Sequence, residues 1–299
     1  MARDIIQFTL FGHWGRFGNQ LFEYAFLKIC AEANDLEIQT PPWVGNHLFD
    51  IHDPLPSVKL PAYDETWDHT TLHPIAPDLA ICRNIDYRGF CQFHTSFFRP
   101  HKDLIKKTFR PAGPLIERLG ARNQFSTTRI GIHLRRGDYG RSIFYITPVA
   151  WYLDWLEKWW GKFHNPVLYI ATEDVSLVKE FAKYDPITAE DFGVKFAEKM
   201  MPHFGYFDED VHDPRQLDFF PEWYYLTQCD VIVAPNSTFS VVAAMASPYV
   251  KRFFRSNLLT QQIEEEDVWD MYPLQRLDQK DYPDVPGAWV EKTKYWTSR

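Results

Sequence analysis

Residues 131–139 read GIHLRRGDY, a segment that joins the end of an apolar stretch to a loop with two adjacent arginines. Apolar residues alternate over residues 128–134, which predicts a β-strand with one face in the core. His133 and Arg135 share the opposite face. Large cations at the end of a buried strand need a counter-charge, and a phosphate suits a guanidinium fork better than an ammonium group. The segment therefore predicts an anion site centred on Arg135.

The composition is that of a globular protein. Of 299 residues, 45% are hydrophobic and 17% are aromatic, which excludes a disordered chain and allows a substantial core. Aromatic rings also stack on the apolar faces of sugars, although core packing is the simpler explanation for any single ring. The length allows one large α/β domain or two domains of about 150 residues.

The net charge of −8 excludes a general nucleic-acid or anionic-membrane surface, because such partners are bound by many Lys and Arg contacts. We therefore expect a local anion site and no nucleic-acid partner. No stretch is apolar for long enough to cross a bilayer, so no transmembrane segment is expected, while peripheral proximity to a membrane stays open. The four cysteines form no CxxC pair, which disfavours a zinc site and a disulfide framework and predicts a cytoplasmic location.

The first half of the chain predicts a strand, a glycine-bearing loop and a helix, over residues 5–11, 12–19 and 20–33. The glycine spacing fits neither GxGxxG nor GxxxxGK[ST], so the loop is not a dinucleotide or P-loop signature. The other elements predicted here are strands over residues 36–40 and 85–91 and a helix over residues 97–109.

The second half alternates strands and helices more regularly. Thr147 and Pro148 predict the N-cap and first position of a helix that extends to residue 160. The other predicted elements are strands over residues 128–135, 167–171, 185–188, 231–234 and 251–255, and helices over residues 174–183, 216–228 and 238–246. Such alternation implies a parallel sheet whose ligand crevice lies beyond the carboxyl ends of the strands. We place a domain boundary near residue 125, which gives domains 1–125 and 126–299, and we read little chemistry in the tail after Ser256.

A second group of polar residues starts a helix at the end of another strand. It comprises Asn236, Ser237 and Thr238, whose hydroxyls and main-chain N–H groups suit a phosphate. Ser237 alone is better explained as an N-cap, although one hydroxyl can serve both purposes. For Asp174, a contact to a ribose or base edge and a helix-start carboxylate are equally good explanations. Two anion-suited strand ends in one sheet favour a common ligand.

A D-x-D sequence at Asp208 and Asp210 could hold a divalent cation against a diphosphate, but a solvated acidic loop is the simpler explanation. Arginines already placed for a diphosphate reduce the need for a metal. We therefore predict no metal and no other cofactor.

Four segments of the chain carry a family resemblance. They read GRFGNQLFEYA (residues 15–25), GFCQ (89–92), HLRRGDY (133–139) and NSTFS (236–240). Together they resemble motifs of the glycosyltransferases that use GDP-fucose, in particular the bacterial α-1,2-fucosyltransferases of glycosyltransferase family 11, and more remotely the protein O-fucosyltransferases.

The resemblance implies an α/β fold of the GT-B type, with two Rossmann-like domains facing across a cleft. Domain 1–125 would form the acceptor side, and domain 126–299 would bind GDP-fucose. It also implies an inverting, metal-independent transfer of L-fucose from GDP-β-L-fucose to a glycan hydroxyl, with α-1,2 transfer to a terminal galactose expected. The alternatives are a glycosyltransferase with another donor or linkage, including a metal-dependent D-x-D enzyme, and a non-catalytic carbohydrate-binding protein.

The resemblance also implies residue roles. Arg135 would neutralise the charge that grows on the departing diphosphate, Asp138 would orient the arginines, and Asn19 would enter from the opposing domain. The implied donor-binding residues are His133, Arg135, Arg136, Asp174, Asn236, Ser237, Thr238, Phe239, Gly18 and Arg16. The sequence does not identify a general base.

Overall fold

The apolar stretch predicted as a buried strand lies inside a sheet. In the computed structural model, which describes residues 3–12, 15–119, 127–193 and 217–290, residues 130–134 of this strand are buried. Ile130, Ile132 and Leu134 pack into a hydrophobic core on one face of this sheet. The alternation of apolar residues is therefore the feature that fixes the orientation of the strand.

The bounds of the elements are as follows. The strands are β1 Ile5–Gln7, β2 Glu37–Gln39, β3 Ala62–Asp64, β4 Trp67–Asp68, β5 His73–Pro74, β6 Ile85–Arg88, β7 Thr128–Leu134, β8 Pro166–Thr172, β9 Val231–Ala234, β10 Arg252–Asn257 and β11 Gln262–Glu266. The α-helices are α1 Phe17–Asn34, α2 Val44–Leu48, α3 Lys102–Thr108, α4 Gly113–Leu119, α5 Val149–Trp159, α6 Phe220–Thr227 and α7 Thr238–Ala246. The 3-10 helices are Leu79–Cys82, Thr95–Phe97, Arg99–His101, Trp160–Lys162, Val175–Tyr184 and Ala189–Phe192.

Two mainly parallel sheets organise the described part of the chain. The first has the strand order β2-β1-β6-β3, and all of its neighbouring strands are parallel. The second has the order β11-β10-β9-β7-β8 and is parallel except for β11, which pairs antiparallel with β10. The carboxyl ends of β7, β8 and β9 therefore share one edge, which places the segments after them side by side.

The first predicted strand is shorter than expected. It ends at Gln7, because the Thr9 main chain and hydroxyl bind the carboxylate of Asp86 and the Phe11 N–H turns back to the carbonyl of Phe8. Helix α1 begins three residues earlier than predicted, since the main-chain N–H groups of Asn19 and Gln20 both donate to the carbonyl of Arg16.

Several elements of the second half differ from those predicted from the sequence. Pro148, and not Thr147, occupies the N-cap position of α5, because the Thr147 hydroxyl donates to Ser256 instead. The helix predicted over residues 174–183 is a 3-10 helix, and the strand predicted over residues 185–188 is reduced to one bridge between Tyr169 and Ile187.

One hydrophobic core continues from the first half of the chain into the second. It includes residues of β1 and α1 and most of α7. It also includes the side chains on the face of the second sheet that lies opposite to Ile130, Ile132 and Leu134. The predicted boundary lies within residues 120–126, outside the described residues, and it stays a prediction. The first sheet is built from residues 5–88 and the second from residues 128–266.

The tail after Ser256 contributes more than the sequence suggests. It adds β11 to the second sheet and then crosses to the first half, where the Met271 main chain exchanges hydrogen bonds with Thr95. Within the described ranges, no helix is both long enough and apolar enough to span a membrane.

Candidate functional site

Arg135 follows β7 and lies between two carboxylates. Its Nη2 is 2.5 Å from Asp138 Oδ1, and its Nη1 is 3.1 Å from Glu173 Oε1. The guanidinium carbon lies 5.3 Å from the centroid of the Tyr139 ring, and 18% of the side chain is exposed. Burial alone would lower the pKa of Arg135, but the charges of Glu173 and Asp138 outweigh burial and raise the pKa. Arg135 is thus a fixed cation that still reaches solvent.

Asp138 connects the two halves of the chain. The Asp138 oxygen that contacts Arg135 also lies 3.3 Å from Nη1 of Arg16, which precedes α1. The pKa of Arg16 is lowered by burial, while the charge of Asp138 opposes this shift. The Arg136 main chain donates to Glu173, and its guanidinium donates to the carbonyl of Arg135. Arg16 and Arg135 thus share the carboxylates of Asp138 and Glu173, and Arg136 adds a further positive charge beside them, which suits an anion.

His133 is buried and neutral. Its Nδ1 lies 3.0 Å from the Ser240 hydroxyl, and its ring packs against Phe239 at 5.1 Å between centroids. Burial, reinforced by the charges of Arg135 and Arg136, lowers the pKa of His133 to about 3. At neutral pH, His133 can offer a hydrogen bond but no charge to a phosphate.

The start of α7 is anchored by the predicted asparagine. The Asn236 amide donates to the carbonyls of Ile143 and Gln275 and accepts a bond from the Gln275 N–H. Ser237 stands at the N-cap position, yet its side chain makes no capping hydrogen bond. The Tyr139 hydroxyl, in turn, donates to the main-chain carbonyl of Asn236. Asn236 thus holds the segment that presents Ser237.

Gly18 and Asn19 join α1 to α7. A Cβ atom at Gly18 would lie 2.6 Å from the main-chain nitrogen of Phe239, so a side chain would prevent the close approach of the two helices. The Asn19 side-chain oxygen accepts bonds from the Thr238 hydroxyl at 2.9 Å and from the Gln92 amide at 3.0 Å. The segments 15–25, 89–92 and 236–240 therefore meet at one oxygen atom.

Asp174 has the geometry of a helix-start carboxylate. Its Oδ1 accepts bonds from the main-chain N–H and the hydroxyl of Ser176, at 3.2 and 2.6 Å. It occupies the N-cap position of the 3-10 helix Val175–Tyr184. The contact to a ribose or a base edge stays a prediction.

Sequence reasoning missed two acidic residues beside Arg135. Glu173 contacts Arg135 directly, whereas Glu222 of α6 accepts a hydrogen bond from the Thr172 main chain at 3.2 Å. Burial raises the pKa of Glu222 to about 8, and the nearby charge of Glu173 adds to this shift. A lone carboxylate inside the aromatic helix sequence FPEWYYLT is the signal that could have identified Glu222.

A third missed residue, Glu65, lies at the carboxyl edge of the first sheet. It follows β3 and accepts hydrogen bonds from the main-chain N–H groups of Phe90 at 3.3 Å and Cys91 at 2.7 Å. Burial raises the pKa of Glu65 to about 7, against the opposing hydrogen bonds and the charge of Arg276. Sequence patterns gave no indication of this residue.

A cavity of about 350 Å³ lies beside the segment that follows β6. Its lining includes Asp68, His73, Phe93, His94 and Tyr272. The rings of His73 and Tyr272 are stacked, 3.7 Å apart between centroids. The cavity thus combines apolar faces with polar groups that can form hydrogen bonds.

The acidic residues Asp208 and Asp210 lie outside the described residues, as does the rest of that segment. In the described part of the chain, no group of three or more His, Cys, Asp or Glu side chains is placed to hold a metal ion. The absence of a metal requirement stays a prediction.

Comparisons with known proteins agree with the resemblance carried by the four segments. No family model matches the chain. It is 26% identical over 200 residues to galactoside α-(1,2)-fucosyltransferase 1 of Rattus norvegicus, which covers 56% of the chain and 50% of that protein. The Homo sapiens protein of the same name is 26% identical over 194 residues, or 56% of the chain and 52% of that protein. The chain thus spans about half the length of the curated relatives it matches.

Solved structures of fucosyltransferases are similar to this chain in fold. Fucosyltransferase NodZ from Bradyrhizobium superposes with a TM-score of 0.53 at 13% identity, over 90% of this chain and 100% of that chain. A structure of NodZ α-1,6-fucosyltransferase soaked with GDP-fucose gives a TM-score of 0.51 at 13% identity, over 89% of this chain and 99% of that chain. A variant of FUT1 from Arabidopsis thaliana in complex with GDP gives 0.53 at 12% identity, over 90% and 75% of the two chains.

These similarities confirm the predicted α/β fold of the GT-B type. They also confirm a remote resemblance to fucosyltransferases, which are glycosyltransferases.

Proposed function

We propose that the protein is a fucosyltransferase that moves L-fucose from GDP-β-L-fucose to a hydroxyl of a glycan. The observation that carries the proposal is the position of Asp138, which contacts Arg135 of the second half and Arg16 of the first. A sugar nucleotide held between the two halves would meet cations from both sides. Relatives in sequence and in fold are fucosyltransferases, and NodZ and FUT1 have been crystallised with GDP or GDP-fucose.

The proposed chemistry follows from the charge that develops during transfer. The bond between the anomeric carbon and the diphosphate breaks, and its electron pair leaves with GDP. Arg135 would neutralise that charge, and the hydroxyls of Ser237 and Thr238 would donate to the same phosphates. For this, the Thr238 hydroxyl would turn away from Asn19, to which it donates in the structure. Arg16 and Asn19 would contact the fucose and the acceptor from the opposite side.

The remaining predicted donor-binding residues have supporting parts in this proposal. Neutral His133 would donate or accept one hydrogen bond, while Arg136 and Asp138 would hold Arg135 in place. Gly18 and Phe239 would set the distance between the two helix starts, and Asn236 would fix the loop before α7. Asp174 would contact the ribose or guanine.

Transfer with inversion and an α-1,2 linkage to a terminal galactose is our specific proposal for the product. The curated relatives carry the α-(1,2) linkage in their names, whereas NodZ is an α-1,6-fucosyltransferase. We further propose that no metal is required and that the enzyme acts in the cytoplasm, in keeping with four buried thiols.

A donor screen tests the proposed function. GDP-fucose, GDP-mannose and UDP-sugars are each supplied with lactose, and release of GDP or UDP is measured with and without EDTA. We expect release from GDP-fucose alone, unchanged by EDTA, and an α-1,2-linked product by NMR. Activity that EDTA abolishes and manganese restores would overturn the metal-free proposal. Lack of both GDP binding by calorimetry and transfer would favour a carbohydrate-binding protein.

A further inference from the structure

The reaction proposed above needs a group that accepts the proton of the acceptor hydroxyl. Several carboxylates near the two sheet edges are already committed. Asp138 and Glu173 are bound by arginines. Asp86 is 5% exposed and accepts bonds from both the main chain and the hydroxyl of Thr9. Glu23 is completely buried, so an acceptor cannot reach it.

Glu65 differs from these carboxylates in its position and its bonding. It is half-buried at the end of β3, and its two oxygens each accept one main-chain hydrogen bond, from Phe90 and Cys91. A carboxylate has about four lone-pair sites, so these two bonds orient the group and leave further sites for a ligand. The side chain is therefore held in place while it can still accept a proton.

Two sets of interactions connect Glu65 to the start of α7. The first runs from Cys91 to its neighbour Gln92, whose amide shares the Asn19 oxygen with the hydroxyl of Thr238. Glu65 is thus connected through Cys91 and Gln92 to the contact between Asn19 of α1 and Thr238 of α7.

The second set begins with the charge of Arg276 and runs through the tail. Arg276 opposes the raised pKa of Glu65 and lies over the Trp67 ring at 5.0 Å, while the adjacent Gln275 binds Asn236 at the start of α7. Both sets end at the start of α7, which carries the predicted phosphate-binding residues Ser237 and Thr238.

We propose that Glu65 is the general base of the transfer reaction. As the acceptor oxygen forms its bond to the anomeric carbon, the acceptor O–H bond breaks and its proton passes to the Glu65 carboxylate. The bond from the anomeric carbon to the diphosphate breaks at the same time, and GDP leaves with that electron pair. The proposal rests on the proposed function and adds the residue that the sequence could not identify.

The electrostatic surroundings support this role. A base works best when its pKa is near the working pH, and burial raises the pKa of Glu65 to about 7. The titratable groups coupled to it from neighbouring elements are Arg276, Glu23, Tyr87 and Cys91. Burial raises the pKa of Glu23, Tyr87 and Cys91, so it disfavours the charged form of each of these groups.

The test compares Glu65→Gln with the wild type in GDP-fucose transfer to lactose between pH 5.5 and 9. A matched control is Asp64→Asn, which removes an exposed carboxylate at the preceding position of β3. We expect Glu65→Gln to lower kcat at pH 8 by about 100-fold or more, with KM for GDP-fucose unchanged. Wild-type activity should fall as pH drops below about 7, and this acid limb should be absent from the residual activity of the variant.

A purely structural role for Glu65, as an anchor of residues 90 and 91, predicts a different result. Gln can still accept one of the two main-chain bonds, so GDP affinity measured by calorimetry should match the wild type if Glu65 is the base. A kcat within a few-fold of the wild type, an acid limb that persists in Glu65→Gln, or weakened GDP binding equal to the loss in kcat would each overturn the proposal. A wild-type protein that transfers no sugar would instead refute the proposed function itself.

Discussion

Arg135 is held on one side by Asp138 and Glu173, while part of its guanidinium remains accessible. A contact to the leaving group strengthens as negative charge grows, so Arg135→Ala should lower kcat about 100- to 1,000-fold. Arg135→Lys should also lose most of its activity, because an ammonium group cannot reproduce the planar fork. Steady-state kinetics with GDP-fucose measure both effects.

The matched control for these variants is Arg110→Ala, which removes an exposed arginine just beyond α3. It should retain wild-type kcat, and the circular dichroism of all three variants should match the wild type. Near-normal turnover by Arg135→Ala would refute the assigned role.

A second prediction at the residue scale concerns the effect of His133 on stability. Its pKa is about 3 in the folded protein, whereas the unfolded chain has the ordinary value near 6.5. Between these two pH values the unfolded state binds one more proton at this residue than the folded state does. The contribution of His133 to the free energy of unfolding is therefore fully present above about pH 6.5. It decreases as the pH falls, by at most about 1.4 kcal/mol per pH unit. Urea unfolding from pH 7.5 to 4.5 should show a shallower decline for His133→Gln.

An exposed histidine, His69, provides the control for that measurement. His69→Gln should follow the wild-type pH dependence. If His133→Gln follows it as well, burial of a neutral imidazole does not contribute to the acid sensitivity of the fold.

The sequence predicted several of the residues that the structure brings together, because Arg135, Asn19 and Thr238 belong to contiguous segments. It did not identify Glu65, Glu173 or Glu222, whose positions depend on contacts between residues far apart in the chain, such as Glu222 with the Thr172 main chain. A lone carboxylate carries no periodicity, whether it follows a strand, as Glu65 and Glu173 do, or lies within a helix, as Glu222 does. Only folding shows which group it meets.

At the scale of elements, the contact between α1 and α7 is set by Gly18. A methyl group there would lie 2.6 Å from the Phe239 nitrogen and 2.8 Å from the Thr238 hydroxyl oxygen. Gly18→Ala should therefore destabilise the protein by about 1–3 kcal/mol, and kcat should also fall because Asn19 and Thr238 are displaced. Chemical denaturation and GDP-fucose kinetics measure the two effects.

Gly161→Ala is the matched control, because a Cβ atom at this glycine meets nothing within 4 Å. It should leave stability and activity near the wild-type values. Equal behaviour of the two variants would mean that α1 and α7 can separate without cost.

The elements that the sequence predicted best are those whose pattern is long and regular, such as α1, β7 and α7. Those it predicted less well are set by side chains from elsewhere. The Thr147 hydroxyl, for example, binds Ser256 rather than capping α5, and the first strand ends where Asp86 binds Thr9. Local propensity cannot include such partners.

At the scale of the whole molecule, the continuous core shared by α1 and α7 couples the two halves. The tail adds a second connection through Thr95 and Met271. We expect calorimetry to show one unfolding transition with equal calorimetric and van't Hoff enthalpies. Two separate transitions would mean that the halves unfold independently. The general architecture was predictable from alternating strands and helices, whereas this shared core was not.

The single oxygen of Asn19 that binds both Gln92 and Thr238 also has an evolutionary consequence. Three segments remote in sequence cannot vary independently when they share one acceptor atom. Among homologues, positions 19, 92 and 238 should therefore change together, and a replacement at one of them should be tolerated mainly where the other two have already adapted.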